Sequence, residues 1–348
     1  MNLKFYTFDL ELKNTFTISH GSRNFQKTLI VALSEGEFTG YGEAAATSYY
    51  GVSVEAMIAS IKAIEPLIEK NINLQPEQLW EITFPHLKDN PFAQCALDMA
   101  MHDLHGKRKS LPLYKLWGLE LKNIPLTNYT IGIDTVEKMI QKIDEFPWPL
   151  YKIKLGTKED VKIITELRKN TKSVFRVDAN GAWSASEAIK NSIELKDLNV
   201  EFIEQPLPPE DLEGMAEVYK NSVLPIIADE SCLVEQDVVK CRDYFHGINI
   251  KLTKCAGLTP ARRMIAEAKN IGMKVMMGCM TESTVGISAI AQLLPLLDYV
   301  DMDGALLLKN DIADGVKVYD EKVHFPNRNG TGAELLQKNK VEHKIQNT

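Results

Sequence analysis

Residues 150–155 read Leu-Tyr-Lys-Ile-Lys-Leu, a short apolar run in which Lys152 and Lys154 stand two apart. Alternate residues of a β-strand face one side, so both ammonium groups point the same way. Seven further apolar runs share this texture, each ending in a polar cluster that leads into a helical stretch: 127–131, 174–177, 200–203, 225–228, 248–250, 275–277 and 299–300. Eight strands alternating with helices predict a (β/α)8 barrel, normally about 250 residues and here compressed into roughly 200. The competing topology, a doubly wound open sheet, would carry a G-x-G-x-x-G after a strand, and none is found.

The strand ends carry the chemistry. Lys154, Asp178, Glu204, Asp229 and Lys251 lie 24, 26, 25 and 22 residues apart, one βα unit per step, and Cys279 and Asp303 continue the series. In barrel enzymes the site is built at that rim. Three carboxylates on three consecutive strands would converge there, and acids so close are tolerated only when protonated or bridged by a cation. All-oxygen donors favour a hard ion, Mg²⁺ before others. Lys251 closes the sixth strand and approaches from the other side, and the paired charges of Lys152 and Lys154 are expected to lower each other's pKa. Two bases facing each other across a metal suit one task, removing a proton beside a carboxylate and returning one to either face.

The first 120 residues have a different texture. A strand is expected at Met1–Leu10, two more at Leu29–Ser34 and Phe38–Glu43 around a Glu-Gly-Glu turn, and helices at Ser53–Glu69 and Phe92–Arg108. That is an α+β unit. The division expected is a capping domain over 1–120, a barrel over 121–326 and a polar tail over 327–348 that packs on the cap or stays loose.

Composition narrows the functions. The 348 residues carry 40 Lys+Arg against 47 Asp+Glu, a net charge of −7, and the longest basic run is Lys107-Arg108-Lys109. Nucleic acid is excluded as a partner on that balance. Five cysteines without a Cys-x-x-Cys spacing are read as reduced thiols. No apolar run approaches the roughly 20 residues of a membrane span, and the start lacks a secretory signal, so a soluble cytoplasmic protein is expected.

At these residues the chain resembles the enolase superfamily in its muconate-lactonizing subgroup. The resemblance rests on Lys-x-Lys at 152–154, Asp-Ala-Asn at 178–180, Glu-Gln-Pro at 204–206, Asp-Glu-Ser at 229–231 and Lys251. It implies an enolase-like α/β fold, a modified (β/α)7β barrel beneath an α+β cap, and commonly a homo-oligomer. Lys154 and Lys251 would be the two bases, Lys152 the ammonium that steadies the substrate carboxylate, and Asp178, Glu204 and Asp229 the Mg²⁺ ligands. Asp301 and Asp303 look like the Asp-x-Asp with which dipeptide epimerases hold the substrate ammonium, in a place expected to be far from the metal. Thr130, Cys279, Met280 and Thr281 match pocket positions. Cap loops at 19–24 and 44–53 would close over the barrel, where Arg23 resembles an arginine that binds a glutamate side chain, and Phe25, Tyr49 and Tyr50 suit a small or apolar residue. The expected reaction is epimerisation of Ala-Xaa dipeptides at the second residue, with Xaa either Glu or a residue such as Ala or Val. The alternatives are an o-succinylbenzoate synthase, an N-acylamino acid racemase, or a non-catalytic binding barrel.

Overall fold

The computed structural model describes residues 1–18 and 21–336. Ser19 and His20 of the first expected cap loop, and 337–348 of the expected tail, lie outside the described residues.

Three antiparallel strands open the chain, β1 (Asn2–Ile18), β2 (Gly21–Glu35) and β3 (Phe38–Ala45), in that order across the sheet. β1 runs well past its expected end at Leu10, and residues 21–24 of the segment expected as a cap loop belong to β2, where Arg23 pairs with Phe16. Four helices follow, α1 (Val54–Ala63), α2 (Glu65–Asn71), α3 (Pro76–Leu87) and α4 (Pro91–Arg108). The single helix expected over 53–69 is therefore two, because Pro66 has no N–H to continue the first and sits where a new helix starts. The long α4 presses on β3 so closely that a Cβ at Gly42 would lie 2.0 Å from the Ala96 carbonyl oxygen. Only glycine fits there, and the contact buries Ala93, Ala96 and Ala100 against Leu29, Val31 and Leu33.

After a single turn, α5 (Leu113–Leu116), the eight barrel strands are β4 (Tyr129–Ile131), β5 (Leu150–Lys154), β6 (Val174–Asp178), β7 (Val200–Glu204), β8 (Ile226–Ala228), β9 (Gly247–Lys251), β10 (Lys274–Gly278) and β11 (Tyr299–Asp301). They pair in sequence order, all parallel where paired, and a Thr127–Val300 bridge joins the first to the last. The connecting helices are α6 (Val136–Glu145), α7 (Asp160–Arg168), α8 (Ala185–Asp197), α9 (Leu212–Asn221), α10 (Glu235–Cys241), the short α11 (Leu252–Cys255), α12 (Leu258–Asn270) and α13 (Thr284–Ala291). Among the described residues no α-helix follows β11, only a 3₁₀ turn at Gly304–Leu307 and short strands, so the barrel is of (β/α)7β form.

Side-chain alternation sorts the strands' residues. Ile153, Val177, Ile203 and Ile250 pack outward with Ile164, Ala188 and Met215 of the helices. Phe202, Ile227 and Met276 form a small separate cluster, and Arg176 lies 5.2 Å over the Phe202 ring. Register then levels the strand ends, with Lys154 beside Asp178, Asp178 beside Glu204, and Gly278 beside both Lys251 and Asp301. The described part of the tail returns to the cap, where Asp103 of α4 accepts from the Thr331 N–H at 2.7 Å and Lys107 pairs with Glu334 at 2.8 Å. All five cysteines are free thiols. Among the described residues, no helix is long and apolar enough to cross a membrane.

Candidate active site

Asp178 and Glu204 end β6 and β7, and Asp229 follows β8. All three are fully buried, and one oxygen from each lies within 4.8 Å of the others. The residues after them explain how the chain can leave each strand at once. Asn180 and Gln205 take left-handed backbone, φ 46° and 36°, and the Gln205 side chain accepts from the N–H groups of Asp229 and Ser231, tying the second acid's turn to the third's. Burial, aided by neighbouring Asp178, pushes the Glu204 carboxyl up to about 7. Burial also opposes ionisation of Asp178 and Asp229, yet their lysine neighbours hold both below the usual carboxylate range. Three buried oxygen donors whose mutual repulsion is this costly fit a hard divalent cation.

Each acid is met by a lysine. The Lys154 ammonium donates to Asp178 at 2.6 Å and Lys251 to Asp229 at 2.8 Å. β5 and β9 are four strands apart in an eight-stranded barrel, so these two amines approach from opposite walls. Lys152 is buried and touches Glu204, Asp178 and Asp301 at 2.8, 3.1 and 3.0 Å. The expected lowering of Lys152 by its neighbour is overturned: burial alone would lower it, but Glu204, Asp301 and Asp178 hold its proton well above the ordinary lysine range. Lys251 is likewise raised, because Asp229 outweighs its desolvation.

A second acidic pair lies on the far side of Lys152. Asp301 ends β11 and accepts from Asn128 at 2.8 Å, while Asp303 accepts from the Thr130 N–H at 2.5 Å. The expectation that this pair stands far from the triad is corrected, since Lys152 bridges Asp301 to Asp178 and Glu204 directly. Burial and the neighbouring charge of Asp301 push Asp303 well above the usual carboxylate range. Cys279, Met280 and Thr281 line the same pocket, together with Thr130, Arg23, Tyr49 and Tyr50. The Arg23 guanidinium donates to Thr281 Oγ1 at 3.0 Å and lies 5.5 Å over the Phe16 ring, with its Nε buried and unpartnered. Phe25 is 56% exposed and is not part of the lining. Phe16, which pairs with Arg23 on the neighbouring strand, lines the pocket in its stead.

Several neighbours of the site stand outside the sequence motifs. Lys254, one helical turn after Lys251, is buried and grips the other oxygen of Asp229 at 2.5 Å. Asn249, two before Lys251 and thus on its face of the strand, donates to Glu204 at 2.8 Å. Both spacings are a signal that could have found them. Glu230 and Asn180 lie inside the Asp-Glu-Ser and Asp-Ala-Asn motifs, and the packing gives them a place of their own, lining the pocket with one unpartnered acceptor each.

A capped barrel with acids and lysines on its strand ends defines a class of metal-assisted enzymes, and comparison with known proteins narrows it. Residues 134–339 match the enolase C-terminal domain-like family and residues 4–118 the mandelate racemase / muconate lactonizing enzyme N-terminal domain, so the chain belongs to this enolase-like family. It is 54% identical to the L-Ala-D/L-amino acid epimerase of Flavobacterium johnsoniae, over 97% of this chain and 100% of that one. It is 56% identical to the L-Ala-D/L-amino acid epimerase of a Maribacter species, over 97% of this chain and 99% of that one. Among solved structures it resembles a dipeptide epimerase from Enterococcus faecalis complexed with Mg and L-Leu-L-Tyr, at 30% identity and a TM-score of 0.88, covering 95% of this chain and 98% of that one.

Proposed function

We propose that this chain is a Mg²⁺-dependent epimerase of Ala-Xaa dipeptides that inverts the α-carbon of the second residue by two-base 1,1-proton transfer. The observation that carries the reading is the pairing of two opposed lysines, Lys154 and Lys251, around a buried acid triad, with a second acidic pair on the pocket wall. The similarity to enzymes named L-Ala-D/L-amino acid epimerase supports it.

In this reading Asp178, Glu204 and Asp229 hold the cation. Bound there, Mg²⁺ supplies positive charge that opposes the cost of forming an enolate next to a carboxylate. Lys154 Nζ takes the α-proton from one face, and Lys251 Nζ delivers a proton to the other. For that direction Lys154 must be the neutral amine and Lys251 the ammonium, and the opposite isomer needs the reverse assignment, so one proton enters and one leaves per turnover. Lys152, buried and permanently charged, faces the substrate carboxylate and stabilises the growing negative charge. Asp301 and Asp303 take the N-terminal ammonium, whose charge favours the ionised form of the raised Asp303 carboxyl. Thr130 and Cys279 complete that wall.

The second side chain meets Arg23, Phe16, Met280 and Thr281. An inward guanidinium with no carboxylate partner among the described residues favours an acidic Xaa, and the apolar neighbours accept a smaller neutral one. Residues 1–120 act as the cap over the 121–326 barrel, and 327–336 rejoin the cap. A cytoplasmic homo-oligomer completes the proposal. The test is proton NMR in D₂O with Mg²⁺ and a library of Ala-Xaa dipeptides. Deuterium entering only the second α-position is expected, and exchange in N-acyl amino acids but in no dipeptide would overturn the ammonium assignment.

A further inference from the structure

One buried carboxylate beside the pocket takes no part in the reaction proposed above. Glu43, near the end of β3, belongs to the cap and is 0% exposed, yet its oxygens are held chiefly by the barrel. They accept from the Ser283 N–H at 3.0 and 3.1 Å, the Ser283 hydroxyl at 2.5 Å and the Gly286 N–H at 3.0 Å. Within the cap, the Thr28 hydroxyl adds a bond at 2.9 Å. Ser283 is the N-cap of α13, so one domain supplies the acceptor for helix-start N–H groups of the other. Every hydrogen-bond partner of Glu43 donates to it, a set that the four lone pairs of a carboxylate can satisfy.

The position of this contact gives it a consequence for the pocket. The residues just before Ser283 are the pocket wall of Cys279, Met280 and Thr281. Between them Glu282, 3% exposed, accepts from the Met280 N–H at 2.6 Å. Its other oxygen packs where a Cβ on Gly286 would lie at 1.8 Å, so the turn has no slack. At its outer end the same turn receives the bond from Arg23 to Thr281. On the cap side, β3 ends two residues after Glu43 and delivers Thr47, Tyr49 and Tyr50 to the lining of the same pocket.

We propose that Glu43 is a positioning residue: by holding the start of α13 it fixes the Cys279–Thr281 wall against the Thr47–Tyr50 wall, so selectivity for the second side chain is set jointly by cap and barrel. The selectivity part rests on the Ala-Xaa reading; the anchoring part does not.

The decisive variant is Glu43→Gln, which keeps the shape but turns a donor toward donors. It is expected to raise KM for the preferred dipeptide by about tenfold with kcat changed by less than about threefold, and to shift the acidic-to-aliphatic ratio of kcat/KM by a similar factor. Mg²⁺ affinity by calorimetry stays unchanged, because the triad lies on other strands. Hydrogen exchange at the 283–286 amides speeds up in the same variant. Ser283→Ala, which removes one donor and keeps the backbone contacts, shifts the same ratio in the same direction by less, and it serves if Glu43→Gln does not fold. A lower Tm with an unchanged kcat/KM ratio across dipeptides overturns the proposal, as does unaltered exchange at 283–286. If the wild-type protein epimerises no dipeptide, the Ala-Xaa reading has failed, and the exchange experiment alone then decides whether Glu43 anchors the turn.

Discussion

Two clusters of buried acids flank Lys152, and their neighbours leave them in different charge states. In the triad, Asp178 and Asp229 are each gripped by lysines and stay ionised, leaving Glu204 as the carboxyl that is raised. In the other cluster Asp301 spends its charge on Lys152 and Asn128, and Asp303, with no cation partner among the described residues, is pushed up by burial and by Asp301. One cluster therefore keeps two charged carboxylates beside a raised third, a donor set that fits a divalent ion, and the other pairs one charged carboxylate with a raised one, which suits a monovalent ammonium. Neighbours, rather than the acids themselves, divide the labour.

The sharpest way to break this comparison is to remove the amines that face the triad. Lys154→Ala and Lys251→Ala are each expected to lower kcat by roughly 100- to 10,000-fold with little loss of fold, as positioned bases do. Each single variant should still exchange the α-proton of the isomer that presents it to the surviving lysine, which NMR in D₂O reads directly. Exchange of both isomers by either variant would sink the two-sided arrangement.

Next in size is the separation of the two clusters by affinity. Glu204→Gln is expected to weaken Mg²⁺ by on the order of 100-fold in calorimetry, the loss of a charged donor from a hard-ion site. Asp303→Asn should leave Mg²⁺ affinity alone and raise the dipeptide KM by about 10- to 100-fold, the worth of a hydrogen bond to a charged group. If Asp303→Asn also weakens Mg²⁺, the clusters are one site rather than two.

The smallest effect is in pH. The Glu204 carboxyl is held at about 7, above the ordinary 4.5, so below pH 7 a proton must leave before a cation binds. Mg²⁺ affinity should thus fall by about tenfold from pH 8 to pH 6, with about one proton released per ion at the lower pH. The same sign makes the cation-free fold lose stability as pH rises through about 7, a loss that Mg²⁺ reverses in a thermal melt. An affinity that is flat over this range would mean the proton sits elsewhere.

Much of the fold and of the site is legible in the amino-acid order alone. Apolar runs at steady spacing mark the eight strands because strand and helix periods are local properties. Polar residues at their ends mark the rim because a parallel barrel brings all those ends to one face. Local patterns mislead where contacts are made at a distance. The lysine two residues from Lys152 predicts a lowered pKa, but three acids from β6, β7 and β11 decide its charge. The apolar period over 53–69 runs straight through Pro66, whose position matters only once a turn forms there. Phe25 neighbours Arg23 in the chain, whereas strand pairing puts Phe16 beside the guanidinium instead.

The sequence by itself determined the barrel, its cap, and the identities of the lysines and acids at the strand ends, since each follows from periodicity, spacing and residue type within a few dozen residues. Only the tertiary structure decided which acid faces which lysine, that Lys152 joins the two acidic clusters, and that Glu43 reaches from the cap to the start of α13. Those facts depend on groups up to 243 residues apart, as in the Glu43–Gly286 bond. In a buried site, the distance and number of such neighbours set both the charge of a side chain and what it can do.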